Sequence, residues 1–80
     1  MTIVKYLTIF YNYNVISYRP LWETLKKSGE STYTLINNHH ISSATIDRLR
    51  KGNGISTRTI DDLCRILDCK VGDVIEHNKD

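Results

Sequence analysis

The chain has 80 residues, 40% of them hydrophobic and 25% charged, with a net charge of +2. So short a chain makes one domain and buries only a little over half of the surface it exposes when unfolded, which excludes a cofactor sunk in a large core. Its composition excludes wholesale disorder, and two cysteines, Cys64 and Cys69, are too few and too close together to staple a secreted scaffold.

A reducing, cytoplasmic setting is expected from that cysteine usage. The opening MTIVKYLTIFYNYN has no continuous apolar core or small-residue cleavage site. Its apolar run also falls short of the roughly 20 residues needed to span a bilayer. Neither export nor membrane insertion is expected.

Residues 1–18 carry Lys5 as their one charge and four of the five tyrosines, at positions 6, 11, 13 and 18. Ile3, Val4, Tyr6, Ile9, Phe10, Val15 and Ile16 are strand formers, so an extended segment is predicted, and a lone strand needs a partner. Residues 1–17 are read as an N-terminal extended arm, which would build a dimer by pairing with its twin, or as a leader upstream of the domain. The domain proper is placed at 18–77, with 78–80 as a tail.

From Pro20 the pattern turns helical. Pro20 suits the start of a helix over 20–28, with Leu21, Trp22 and Leu25 on one face and Gly29 as its stop. Ser31 caps a short second helix running to Asn38 or His39, with Leu35 and Ile36 inward. Ser42 caps a third over 43–51, where Ile46 and Leu49 share a face and Gly52 ends it. After the GNG turn at 52–54, Ser56 caps a fourth helix with Ile60, Leu63, Cys64 and Leu67 at i, i+3, i+4, i+7. Val71, Val74 and Ile75 predict a fifth over 71–77. The expectation is an all-α unit of five short helices with an extended, possibly β, N-terminal arm.

Charge is unevenly spread along this plan. Residues 42–60 hold Arg48, Arg50, Lys51 and Arg58 against Asp47, whereas residues 61–80 hold Arg65, Lys70 and Lys79 against six acids. Positive charge thus gathers around ISSATIDRLRKG at 41–52, favouring an anionic partner there. The second and third helices are separated by about four residues, a connection that forces them to cross steeply over a shared core of Leu35, Ile36, Ile41, Ile46 and Leu49. The outer face of the third helix is then free to enter the major groove of DNA, which admits one helix.

Residues 18–76 resemble the Cro/C1-type helix-turn-helix family, particularly its small stand-alone bacterial and phage members. The likeness is carried by YRPLW at 18–22, TYTLINNHHISSATIDRLRKG at 32–52 and ISTRTIDDLCRILDCKVGDVIE at 55–76. It implies a lambda-repressor-like DNA-binding domain with the helix from Ser43 as the recognition helix. Ser43, Ala44 and Arg48 then fall at base-contacting positions, with Asp47 beside them. Arg48 is suited to two parallel hydrogen bonds to guanine, Ala44 to a thymine methyl and Ser43 to either kind of partner. Thr32, Tyr33, Thr45, Lys51, Asn53 and Arg58 are candidate contacts to the DNA backbone. The family often has a small residue where Ile36 lies and glycine where His40 lies, so His40 is expected to hold a turn conformation that glycine adopts freely, with positive φ.

The residues also bear on two other functions. His39, His40, Cys64 and Cys69 invite zinc, but there is no C-x-x-C and Cys64 lies on an apolar stripe, so no metal or other cofactor is expected. No serine, cysteine or acid pair stands in a nucleophile or acid/base arrangement, and no small-molecule substrate is evident, so no enzyme is expected. The expected role is a DNA-binding transcriptional regulator, a repressor acting as a homodimer on double-stranded DNA. The alternative is a protein-interaction module such as an antitoxin or anti-repressor.

Overall fold

The computed structural model describes residues 15–78. A short strand, β1 (Val15–Ser17), leads into four helices, α1 (Arg19–Lys27), α2 (Thr32–Asn37), α3 (Ser43–Lys51) and α4 (Thr57–Leu67). One 3-10 turn at Val71–Asp73 and a second strand, β2 (Glu76–Asn78), follow. The expectations made for residues 1–14 lie outside the described residues.

Three of the helices start in the same way. The hydroxyls of Ser31, Ser42 and Ser56 accept hydrogen bonds from the backbone N–H groups of Thr34, Thr45 and Thr59. Each S-x-x-T therefore satisfies one of the N–H groups that a helix leaves unpaired in its first turn. In α2 the Ser31 N–H also donates to Thr34 Oγ1 at 2.8 Å, so threonine closes a box more often closed by glutamate or glutamine. α1 starts differently: Pro20 has no N–H to leave unpaired, and the Arg19 N–H finds Ser17 Oγ at 3.1 Å.

Two helices end on left-handed residues, Gly52 (φ 77°) after α3 and Asp68 (φ 51°) after α4. That reversal lets the next residue donate back into the helix, Asn53 to the Arg48 carbonyl at 2.8 Å and Cys69 to the Cys64 carbonyl at 3.0 Å.

The core draws on every helix: Leu21 and Leu25 from α1, Leu35 from α2, Ile46 and Leu49 from α3, Leu63 from α4. Tyr18, Ile41 and Val74 complete it from the connections. Ile36, expected inward, is half-buried and packs against this cluster, as do Trp22, Cys64 and Leu67. Burying one such aliphatic side chain is worth about 1.5–3 kcal/mol, so the shared α2–α3 core outweighs any single surface pair.

The expected fifth helix over 71–77 is not formed. Its apolar spacing is spent on one 3-10 turn in which Val74 is fully buried and Val71 is 54% exposed. The last residues of the segment are taken up by a strand pairing, which leaves too little chain for a helix. Glu76–Asn78 instead pairs antiparallel with β1, with Val15 opposite Asn78, Ile16 opposite His77 and Ser17 opposite Glu76. Arg19 reinforces the junction with two parallel bonds to the Glu76 carboxylate, Nε to Oε2 at 3.0 Å and Nη2 to Oε1 at 3.1 Å. The Thr24 hydroxyl ties α1 to the 3-10 turn through the Asp73 carbonyl at 2.7 Å.

Candidate nucleic-acid interface

The turn joining α2 to α3 fixes how the two helices meet. His40 has φ 62°, the positive value expected of it, and this turns the chain so that the Ile41 N–H reaches the Leu35 carbonyl at 3.0 Å. Ile41 is thereby delivered into the core beneath both helices. Glu30 braces α2 from outside: one carboxylate oxygen accepts from the Thr34 hydroxyl at 2.6 Å and the other meets His39 Nε2 at 3.1 Å. The Thr34 hydrogen bond, and then that to His39, hold the Glu30 carboxyl below the usual carboxylate range.

With α3 seated by Ile46 and Leu49, helical spacing turns Ala44, Asp47, Arg48 and Lys51 to the opposite side, where all four are exposed. Ser43 is exposed at the first turn. Lys51 Nζ lies 3.0 Å from Asp47 Oδ2, one turn along the helix, and Arg58 Nε lies 3.7 Å from Asp62 Oδ1 on α4. Exposed pairs of this kind are worth about 0.3–0.5 kcal/mol and are easily exchanged for another partner. Both aspartates that might have neutralised Arg48 are thus engaged elsewhere, and among the described residues Arg48 has no carboxylate partner.

Arg48, Ala44 and Thr45 form one wall of an open groove of about 540 Å³, and Gly54, Ile55, Ser56 and Thr59 form the other. The groove therefore runs between the outer side of α3 and the start of α4. Sequence reasoning missed this second wall, although the matching serine caps Ser42 and Ser56 were its signal. Asn53 sits at the end of α3, where its carbonyl accepts from the buried Tyr18 hydroxyl at 2.7 Å, tying the α3–α4 loop to the start of α1.

The remaining candidates lie on the α2 side. Tyr33 is 71% exposed, and Thr32 Oγ1 accepts from Arg50 Nη2 at 3.2 Å. Arg50 was not among the residues singled out for DNA contact. The sequence-expected residues therefore divide between the outer face of α3, its groove with α4 and its border with α2, while Arg58 stands on the first turn of α4.

His39, His40, Cys64 and Cys69 do not assemble, and among the described residues no three of His, Cys, Asp or Glu gather to hold a metal ion. Cys64 and Cys69 are free and half-buried. Burial first, and then the neighbouring Cys64, push the Cys69 thiol up to about 11, so it is protonated at neutral pH and ill-suited to ligation or attack. No helix among the described residues is long and apolar enough to cross a membrane.

A family model described as the Cro/C1-type HTH DNA-binding domain matches residues 20–80. Among solved structures, the fold is similar to that of the transcriptional regulator VanUg in its crystal form II. The TM-score is 0.75 at 25% sequence identity, covering 89% of this chain and 95% of that one. No curated protein matches the sequence.

Proposed function

The chain belongs to the Cro/C1-type helix-turn-helix DNA-binding family, and from that membership we propose a sequence-specific transcriptional regulator that lays α3 in the major groove. The observation that carries this reading is the outward face of α3, where Arg48 stands exposed, beside a groove and without a carboxylate partner among the described residues. A guanidinium left in that state has donors to spare for guanine O6 and N7, a contact worth roughly 1–3 kcal/mol of discrimination. Ala44 meets a thymine methyl, Ser43 serves either kind of base, and Asp47 accepts from a cytosine amino group once Lys51 turns to a phosphate.

Thr32, Tyr33, Thr45, Lys51, Asn53 and Arg58 hold the sugar-phosphate backbone, which sets position without reading sequence. The chain acts in the cytoplasm as a homodimer on two half-sites about one helical turn apart, and represses by occupying its site. Dimerisation through residues 1–14 is the arrangement favoured by their strand-forming, tyrosine-rich sequence. VanUg, described as a transcriptional regulator, supports the same class of role.

A binding titration against genomic fragments at two salt concentrations, with the natural chain and Arg48→Ala, tests this. Both should bind with a steep salt dependence, and the variant should lose the preference between fragments. An antitoxin-like or anti-repressor module would instead bind DNA weakly and recover a stable protein partner. The exposed Val15 and Ile16 beside an apolar groove of about 350 Å³ are the observation that favours this second reading.

A further inference from the structure

Arg50 has no part in the base-reading face. By helical spacing it lies on the flank of α3, about 160° around the axis from Arg48 and turned to α2. Its Nη2 donates to Thr32 Oγ1 at 3.2 Å across 18 residues of chain, the one side-chain hydrogen bond between α2 and α3 among the described residues. Like Arg48, it has no carboxylate partner among the described residues. Lys51, Arg58 and Arg65 on α3 and α4 are each matched to an aspartate one turn away, whereas Arg50 is held by a neutral hydroxyl and keeps its whole charge.

The chemistry of that pair is directional. A guanidinium has five N–H donors, and one spent on Thr32 leaves the rest. The Thr32 hydroxyl, having accepted from Arg50, retains its own hydrogen to give elsewhere. Two donors thus stand side by side at the border of the two helices, one charged and one neutral. The non-bridging oxygens of a phosphodiester have the charge and lone pairs to take both.

We propose that Arg50 and Thr32 form a single clamp for one DNA backbone phosphate, bridging α2 and α3. The clamp rests on the reading that α3 enters a groove, and it gives that reading a positioning device. Arg50 is already oriented by Thr32, so less side-chain freedom is lost on binding than for an untethered arginine. A phosphate gripped by both helices sets the approach of α3 toward the bases and leaves the choice of base to Arg48.

The test compares the natural chain with Arg50→Ala, Arg50→Lys, Thr32→Val and the Arg50→Ala/Thr32→Val double variant. Binding is measured over a range of salt on a preferred fragment and on a mismatched one. Arg50→Ala should flatten the slope of log affinity against log salt by about 0.9, the value for one phosphate contact, and weaken both fragments by the same factor. Arg50→Lys should keep the slope, because the charge remains. Thr32→Val should keep the slope while weakening both fragments, and the double variant should lose less than the two single losses combined. Circular dichroism checks that each variant is folded, and Arg50→Lys serves if Arg50→Ala is not. An unchanged slope in Arg50→Ala, or a changed ratio between the fragments, overturns the clamp and leaves the DNA reading standing. A natural chain whose binding ignores salt overturns both.

Discussion

At His40 a single backbone angle decides where α3 points. Its φ of 62° lies in the left-handed region, which costs an L-residue roughly 1–2 kcal/mol, while the extra unfolded freedom of glycine costs roughly 0.5–1 kcal/mol. The difference favours glycine, so His40→Gly should raise stability by about 0.5 kcal/mol, read as a higher urea midpoint. A lower midpoint would mean that the imidazole contributes something the backbone does not reveal. This conformation was legible because the family pattern places glycine here. Asp68 takes the same conformation, φ 51°, with no such signal, since aspartate is at home in ordinary turns as well. Arg50 was legible as part of the basic cluster at 42–60, but its pairing with Thr32 was not, because that partner is 18 residues away, beyond any local pattern.

The four helices were legible because each carries its own start and its own apolar stripe. Ser31, Ser42 and Ser56 are the caps expected of them, and Gly52 ends α3 as expected. The C-terminal segment was misread because one turn of a 3-10 helix and one turn of an α-helix bury nearly the same spacing of Val71, Val74 and Ile75. What decides between them is β1, which approaches from the far end of the sequence and offers backbone partners to Glu76–Asn78. Tyr18 is another such long-range link, joining the β1–α1 junction to the end of α3 through the Asn53 carbonyl. Tyr18→Phe keeps the buried ring and removes only that bond, so stability should fall by about 1 kcal/mol. A denaturation midpoint equal to that of the natural chain would show that water replaces the bond at no cost.

Over the whole molecule, two carboxylates should contribute to the response to acid: Glu76, which joins α1 to β2 through Arg19, and Glu30, which braces both ends of α2. The Arg19 hydrogen bonds hold Glu76 below the ordinary value of 4.5, and those of Thr34 and His39 do the same for Glu30. A carboxyl whose folded pKa is lowered stabilises the fold fully above its ordinary value, and that contribution fades as pH falls through the folded value. The urea midpoint should therefore drop as pH is lowered from about 6 to about 3, and Glu30→Gln/Glu76→Gln should show a smaller drop. An equal drop in the double variant would place the acid response on other groups.

The pairing of Val15 with Asn78 makes the described backbone nearly a closed ring, cut at one corner. A cross-link between positions 15 and 78 would need to bridge only the width of a strand pair.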